Sequence, residues 1–280
     1  MINKYRWWEL VLIYTGIAIF LTFILSPFVE AFIVSLRPIT SIFSIPYRFV
    51  TEGMSFDAYF SMWSSVPLLL RYMFNSFFIA AAVTLIALLA VIPSAYAFAR
   101  FEFKGRDGLL TAFLAINMVS GAVLIIPLYR VLQQLGLLNT YFAMIVPGAA
   151  FSVPTGIWLL RSYLMKIPKE LEEAAWADGA SRLYTLWRVI LPIAMPGIIV
   201  VAIATFIGAY AQQFLFALTF NSVNELHPLP VGLFQFFGRQ TVVWNELMAA
   251  SLVGILPVLT VYIFLQRYIV AGLTAGAVKE

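Results

Sequence analysis

MFNSFFIAAAVTLIALLAVIPSAYAFA, residues 73–99, is a run of mostly apolar residues that contains no Asp, Glu, Lys or Arg. A helix needs about 20 such residues to cross a hydrocarbon core of roughly 30 Å. All backbone polar groups within that core must bond internally, which favours an α-helix. The stretch therefore predicts a membrane-spanning helix at Met73–Ala99.

Five further apolar runs are long enough to cross a membrane. They are Leu10–Leu36, Leu109–Tyr129, Tyr141–Leu160, Ile190–Leu218 and Leu247–Gln266. The first run follows Lys4 and Arg6, as in a signal peptide, but no small-residue cleavage pattern follows a short core, so we expect a retained span. The sequence predicts an all-α, polytopic membrane protein in which residues 1–280 form a single domain with six transmembrane helices.

The overall composition argues against several classes of function. Apolar residues make up 62% of the chain and charged residues only 11%, whereas soluble domains carry about 25% charged residues. Cysteine is absent and His227 is the single histidine, so we expect no disulfide, no metal site and no histidine-based catalysis. The basic residues form short clusters between apolar runs, which is typical of membrane topology signals and not of a nucleic-acid-binding surface.

Basic residues also predict which connections face the cytoplasm, because positive side chains are retained on that side. With six spans, the two ends of the chain and every second connection lie on the same side of the membrane. That side carries 12 of the 17 Lys and Arg residues. The connections on the opposite face carry the other 5. Both termini are therefore expected in the cytoplasm.

One predicted cytoplasmic connection, residues 161–188, is too polar to lie in lipid and too long for a tight turn. Pro168 suits the first position of a helix, and the acidic residues after it stabilise the positive end of the helix dipole. Gly179 favours the end of that helix, since glycine adopts the left-handed conformation without a Cβ penalty. Ser181 is a good N-cap for a second helix that leads into the fifth span. We expect an exposed helix, a glycine bend and another helix.

The first helix of this connection has one face with small side chains at its centre. Leu171, Ala174, Ala175 and Asp178 recur at the spacing of one helix side, and the adjacent alanines would let another protein approach closely. Two interpretations stay open on these residues alone. The helix is either a docking surface for a partner protein or an amphipathic connector that rests on the lipid surface.

The stretch EEAAWADGASRLYTLWRVILP, residues 172–192, resembles the cytoplasmic loop signature of permease subunits of bacterial ABC importers. That signature is Glu-Ala-Ala, three residues, glycine, nine residues and Ile-x-Leu-Pro, and only Val189 departs from it. The C-terminal stretch QRYIVAGLTAGAVKE is similar to the tail of the MalG type of maltose-transporter permease. Other stretches similar to the carbohydrate branch are SLRP at 35–38, NSFFIAAAVT at 75–84, AYAFARFEFKGR at 95–106 and GLLNT at 136–140.

The resemblance implies the type I importer permease fold, with a shared core at about 71–267, a coupling loop at about 161–189 and a cytoplasmic tail at 267–280. It implies that the signature helix is a coupling helix that docks into an ATPase subunit. It also implies that the tail reaches toward the interface between two ATPase subunits. The docking residues would be Glu173, Ala174, Ala175, Asp178 and Gly179, and the tail residues would be Gly272, Gly276 and Lys279.

The same resemblance implies a set of partners. They are a second, longer permease of the MalF type, two ATPase subunits that bind ATP and Mg, and an extracytoplasmic binding protein that delivers a sugar. The chain itself would be a multi-pass protein of the bacterial cytoplasmic (inner) membrane, with no cofactor and no enzymatic activity of its own. It contains no GxxxxGK[ST] motif that would cradle nucleotide phosphates.

Polar side chains inside the spans are the candidates for the sugar pathway, because polar groups and aromatic faces must replace the water around a hydroxylated solute. Such residues also commonly form hydrogen bonds between membrane helices, so each candidate has that alternative role. The pathway candidates are Asn75, Asn117, Tyr210, Gln212 and Gln213. In the predicted outer loop at 219–246, the candidates for contact with the binding protein are Asn221, Asn224 and Gln235.

Two departures from the family pattern concern the solute. Family members often carry Trp-Asn-Asp or Trp-Asn-Glu where this chain has Ala211, Gln212 and Gln213, and they often carry proline near Ser120. A phosphodiester of the glycerol-phosphate type, a polyamine or another polar solute therefore stays an alternative to a sugar. A nucleotide-independent carrier is a further alternative, but the chain lacks the paired repeats and the membrane-buried acids that carriers often show.

Overall fold

A computed structural model of the chain describes residues 6–238 and 241–274. These residues form helices joined by turns, numbered α1 to α12 in chain order. The helices are α1 Trp7–Leu36, α2 Asp57–Ser65, α3 Leu69–Arg100, α4 Arg106–Ile116, α5 Ile125–Gln134, α6 Phe142–Leu164, α7 Glu170–Ala177, α8 Arg182–Thr185, α9 Leu191–Ala211, α10 Gln213–Phe220, α11 Leu229–Gly232 and α12 Trp244–Thr274. Short 3₁₀ or π-helical turns occur at Ile39–Ser41, Leu186–Ile190, Asn224–Leu226 and Leu233–Phe236.

Within the described residues, five helical stretches are long and apolar enough to cross a membrane. They are Trp7–Leu36, Leu69–Arg100, Phe142–Leu164, Arg182–Ala211 and Trp244–Tyr268. They coincide with the predicted first, second, fourth, fifth and sixth spans, and the all-α membrane fold is confirmed. The fifth stretch starts earlier than predicted, because α8, the π-helical turn and α9 follow one another without a break.

The prediction of one continuous helix over Leu109–Tyr129 is wrong. α4 ends at Ile116, turns occupy residues 117–124, and α5 begins at Ile125. At 1.5 Å per residue, α4 and α5 each extend about 15 Å, half of a hydrocarbon core. Ser120 favours the break, since its Oγ accepts a hydrogen bond from the N–H of Ala122 at 3.3 Å and so competes with helical bonding.

The described residues form two compact units, here called unit 1 and unit 2. Unit 1 comprises the residues up to Pro67 and Leu233–Ile255, and unit 2 comprises Leu68–Gly232 and the residues from Leu256 onward. The central packing of unit 2 is between α3, α6 and α9. The described docking and pathway candidates all belong to unit 2.

Polar side chains near the helix ends contribute to unit 1. Ser61 Oγ in α2 donates a hydrogen bond to Glu246 Oε1 in α12 at 2.6 Å. The Tyr47 hydroxyl donates to the two carboxylate oxygens of Glu30 in α1, at 2.6 and 2.7 Å. This hydrogen bond raises the pKa of Tyr47, because ionisation would remove the donor. Glu30, which lies near the outer end of the first predicted span, thus has a hydroxyl group as its hydrogen-bond partner.

Glycine lets α3, α6 and α9 of unit 2 approach one another closely. A Cβ atom on Gly197 in α9 would lie 2.5 Å from the ring of Tyr163 in α6. A Cβ atom on Gly156 in α6 would lie 2.7 Å from a methyl group of Val91 in α3. Small residues at such crossings are typical of membrane helix packing, because they let the backbones come together.

Gly197→Ala is expected to destabilise unit 2, because the added methyl group overlaps the ring of Tyr163. Overpacking of this kind typically costs about 1–3 kcal/mol. Thermal unfolding of the purified protein in detergent, followed by tryptophan fluorescence, should shift to lower temperature. Gly208→Ala on the same helix is the matched control, since no atom lies near that position. Equal unfolding temperatures for the two variants would contradict the packing described here.

Candidate docking surface and polar cavity

The loop between α6 and α9 has the helix–bend–helix form that the sequence predicts. α7 ends at Ala177, and Gly179 follows with a φ of +85° in the left-handed region. The N–H groups of Gly179 and Ala180 donate to the carbonyl groups of Trp176 and Ala175, at 3.0 Å in each case. This is a Schellman motif, which favours glycine because an L side chain is strained at such a φ.

A serine then starts the next helix. Ser181 Oγ accepts a hydrogen bond from the N–H of Tyr184 at 3.3 Å and caps α8. The π-helical turn at Leu186–Ile190 continues α8 into α9. α7 is therefore attached through a short connection to a helix that is apolar enough to cross the membrane.

The residues that resemble the docking signature lie on the open side of this loop. Ala175 is partly buried, and the other four residues of the set are exposed. The exposed four are Glu173, Ala174, Asp178 and Gly179. Beside them, Leu171 and Trp176 are large apolar side chains that are 41% and 37% exposed. The loop thus presents a small surface of mixed apolar and acidic character.

A buried acid that the sequence analysis does not single out orients α7. Glu172 is only 2% exposed. Its Oε1 accepts a hydrogen bond from Arg100 Nε at 2.5 Å, and its Oε2 accepts one from the Tyr96 hydroxyl at 2.8 Å. Both partners lie near the C-terminal end of α3. The ion pair turns Glu172 inward, so the neighbouring Glu173 lies on the exposed side of α7.

Two arginines add further contacts between the C-terminal end of α3 and the loop that contains α7. Arg100 also donates from Nη2 to the carbonyl of Ile167 at 2.9 Å, in the turn before α7. The guanidinium of Arg182 lies over the ring of Phe101 at 5.0 Å and over the ring of Trp176 at 5.4 Å. These contacts join α7 and α8 to the end of α3. The sequence offers one clue to these contacts. Arg100 directly follows the apolar run Met73–Ala99, and a cation at that place needs water or an anion nearby.

Unit 2 also contains a cavity of about 430 Å³. Its walls come from α3, α6, α9 and α10 and from the turn that interrupts the predicted third span. The rings of Phe151 and Phe216 stack in its lining at a centroid distance of 5.9 Å. The polar lining residues are Asn117, Ser120, Ser152, Thr155, Thr205, Gln212 and Gln213. The break between α4 and α5 therefore contributes polar residues to the cavity wall.

Three of the five pathway candidates line this cavity, but they differ in their hydrogen bonds. Gln213 is buried, and its amide accepts from Ser76 Oγ at 2.9 Å and donates to the Ser76 carbonyl at 3.0 Å, which joins α10 to α3. Asn117 is exposed and donates to the carbonyl of Phe113 at 3.3 Å. Gln212 is exposed at the break between α9 and α10. Asn117 and Gln212 are thus the accessible amides of the three, and Gln213 joins two helices.

The other two pathway candidates lie outside the cavity lining. Asn75 Nδ2 donates to the carbonyls of Glu225 and His227, at 2.9 and 2.8 Å. Its Oδ1 accepts from the Tyr141 hydroxyl at 2.8 Å. Tyr210 is buried where α9 packs against α3. Asn75 therefore positions the segment after α10, and Tyr210 contributes to helix packing.

The three candidates for contact with a binding protein differ in exposure. Asn224 in unit 2 is exposed, and Gln235 in unit 1 is exposed. Asn221 in unit 2 is only 3% exposed, and its Oδ1 and Nδ2 have no hydrogen-bond partner among the described residues. The next residue, Ser222, is held by Asn139, whose Oδ1 accepts from the Ser222 N–H at 2.7 Å.

The tail residues are described only in part. Gly272 lies in the last turn of α12, which continues to Thr274 and so beyond the predicted end of the sixth span at Gln266. Gly276 and Lys279 lie outside the described residues. The expected contact of the tail with an ATPase interface stays a prediction.

The fold has counterparts among solved importers. It is similar to a bacterial ABC transporter involved in the import of the acidic polysaccharide alginate, with a TM-score of 0.76 at 24% sequence identity over 95% of this chain and 99% of that chain. It is also similar to the MetNI methionine ABC transporter in an inward-facing conformation, with a TM-score of 0.59 at 16% identity over 73% of this chain and 96% of that chain. At these identities the likeness shows a shared fold.

Comparisons of sequence identify relatives at higher identity and a family. The chain is 34% identical over 95% of its length to the inner membrane ABC transporter permease protein YcjP of Escherichia coli (strain K12), also over 95% of that protein. It is 39% identical to the trehalose/maltose transport system permease protein MalG of Thermococcus litoralis, over 74% of this chain and 75% of that protein. Residues 4–275 match a single family model. The chain belongs to the family described as the binding-protein-dependent transport system inner membrane component.

Proposed function

We propose that this chain is one of two permease subunits that together form the translocation pathway of a sugar importer driven by ATP. The observation that carries the proposal is the exposed face of α7, which has the docking signature and is held in one orientation by Glu172. The family match and the identity to named ABC transporter permeases support the same conclusion.

The ATP chemistry belongs to two partner subunits in this proposal, and they bind ATP and Mg. The absence of a phosphate-cradling motif from the sequence supports this division. These subunits dock on Glu173, Ala174, Ala175, Asp178 and Gly179. The tail, with Gly272, Gly276 and Lys279, reaches toward the interface between them.

The chain lies in the bacterial cytoplasmic membrane with both termini and α7 in the cytoplasm. The description of the family as an inner membrane component supports this location. The unequal distribution of Lys and Arg between alternate connections supports the orientation. A second, longer permease completes the pathway. An extracytoplasmic binding protein brings the solute and contacts the exposed residues Asn224 and Gln235, whereas Asn221 is buried.

Alternating access explains how a docked helix moves a solute. ATP binding brings the two ATPase subunits together and draws the docked helices toward one another, which opens the pathway outward. Hydrolysis then returns the pathway to its inward-facing state. Because α7 leads through α8 into α9, and Thr205 and Gly208 of α9 line the cavity, a displacement of α7 changes the cavity wall.

The cavity supports a sugar as the solute. Its volume of about 430 Å³ falls within the range of small-ligand sites, about 300–1,000 Å³. Amide and hydroxyl side chains in its lining can bond sugar hydroxyls, and the rings of Phe151 and Phe216 can cover an apolar sugar face. Relatives are named for transport of trehalose and maltose, of sulfoquinovosyl glycerol and of arabinooligosaccharides.

Purification of the chain from native membranes in mild detergent tests this function. We expect mass spectrometry to identify a longer permease and an ATPase with a phosphate-binding loop in the purified assembly. Reconstituted with its binding protein, the assembly should take up a sugar only when ATP is present. Recovery of the chain without a nucleotide-binding subunit, or uptake that is independent of ATP, would contradict the proposal.

Gly179→Ala is expected to reduce the sugar transported per ATP hydrolysed. An alanine at a φ of +85° costs roughly 1–2 kcal/mol, which disfavours the bent loop by about tenfold. Gly136→Ala is the matched control. Gly136 also has a positive φ, +68°, and open space around it, but it lies far from α7 in the sequence. Both variants should reach the membrane. A normal ratio in the Gly179 variant would count against the docking role.

Gln212→Leu is expected to weaken sugar uptake at low sugar concentration by about tenfold, because a sugar hydroxyl loses a hydrogen-bond partner inside the cavity. Gln133→Leu on the exposed surface of α5 is the matched control. Uptake of radiolabelled maltose and trehalose by reconstituted proteoliposomes measures the effect, and stimulation of ATP hydrolysis by the binding protein should persist in both variants. Equal uptake by the two variants would show that Gln212 does not contact the sugar.

A further inference from the structure

One side chain of α7 is buried against the rest of unit 2. Of the eight residues of α7, all of which the structure describes, only Glu172 is buried. The covalent attachment of α7 runs through Gly179 and α8 into α9. Glu172 attaches α7 to a different helix, α3. Its partner there, Arg100, lies 72 residues earlier in the chain.

The chemistry of this attachment makes it strong and directional. The side chains of Arg100 and Glu172 are 5% and 2% exposed, and each carboxylate oxygen of Glu172 accepts a hydrogen bond from α3. A buried carboxylate is costly without its cation, so separation of the pair is strongly disfavoured. The two donors, Tyr96 and Arg100, lie four residues apart on one face of α3, and together they oppose rotation of α7.

The helix that holds Glu172 also lines the cavity. Ile79 and Val83 of α3 belong to the cavity wall, and the helix rises about 26 Å from Val83 to Arg100. Between these ends, Val91 lies against Gly156 of α6, so α3 is supported along its length. α3 is one continuous helix from Leu69 to Arg100, even with Pro93 inside it, so a displacement of its Arg100 end is carried to the part that lines the cavity.

We propose that the Glu172–Arg100 pair is a positioning contact that passes movement of α7 to α3, and so to a second wall of the cavity. This inference rests on the proposed function, since it requires a partner that moves α7. Through the chain itself α7 acts on α9, and through the ion pair it acts on α3. When the pair is broken, α9 still follows α7 through the chain, whereas only the ring contacts of Arg182 join α7 to the end of α3. The cavity then no longer responds fully to nucleotide.

The test uses the complete assembly in lipid nanodiscs, with the partner permease, the ATPase subunits and the binding protein. Because the chain has no cysteine, Thr155→Cys places a single thiol of this chain in the cavity lining. The rate at which this thiol reacts with a membrane-impermeant thiol reagent is followed by mass spectrometry of this chain. The rate is measured with and without ATP and vanadate, and ATP hydrolysis is measured separately without vanadate.

Two variants of the pair are compared in this background. Glu172→Gln removes the charge and keeps the shape of the side chain. The double variant R100M/E172L replaces the ion pair with apolar side chains, a change that is often neutral for stability when both partners are replaced. Glu170→Gln is the matched control, because it makes the same chemical change at an exposed residue of the same helix.

In the background chain and in the Glu170 control, we expect nucleotide to change the labelling rate by about fivefold or more. In both variants of the pair we expect this change to be clearly smaller than in the Glu170 control, because only α9 still follows α7. ATP hydrolysis should persist in them, because the docking residues are unchanged and the Schellman motif at Gly179 and the contact of Arg182 with Trp176 still hold α7. A defect in stability alone would instead lower the amount of assembly and leave the nucleotide response of the remaining assembly intact.

A full nucleotide response in the double variant would overturn the inference and leave the proposed function in place. Failure of both variants of the pair to assemble in the membrane would overturn it as well, since Glu172 would then act in folding. If the background chain itself carries no ATPase subunit and shows no response to nucleotide, the proposed function fails instead.

Discussion

A carboxylate withdrawn from water needs a partner, and in this chain that requirement sets the orientation of the docking helix. Glu172 faces inward because Arg100 and Tyr96 bond its two oxygens, and the residues on the other side of α7 are exposed as a consequence. The helix that supplies both partners, α3, packs against α6 and α9. One buried ion pair thus joins a surface suited to a partner protein to the packed helices of unit 2.

The cavity depends on interruptions of regular helix. The turn at 117–124 separates α4 from α5, and Gln212 separates α9 from α10, and both interruptions contribute to the cavity lining. Irregular backbone at membrane depth is tolerated where it is buried in protein or lines a polar cavity. The same breaks that shorten the apolar helices therefore supply the polar groups that a hydroxylated solute requires. Asn75 and Gln213 are polar too, but their hydrogen bonds hold neighbouring segments together.

Much of this architecture is predictable from the sequence, because hydropathy and turn chemistry are local properties. Long, mostly apolar runs predict the long helices, and Gly179 and Ser181 predict the bend and the start of α8. The break at 117–124 is missed because a short turn of mostly apolar residues changes the mean hydropathy of its surroundings little. The role of Glu172 is missed because its partner is distant in sequence, and the different roles of Gln212 and Gln213 depend on neighbours that no local pattern identifies.

The central claim is that the exposed face of α7 is seated in a subunit that hydrolyses ATP. Electron cryomicroscopy of the chain, purified with its native partners and embedded in nanodiscs, tests this most directly. We expect Glu173 and Ala174 to lie in a groove of a nucleotide-binding subunit, with Glu172 turned toward Arg100. A structure in which this face lies against lipid, or in which no ATPase subunit touches it, would contradict the claim.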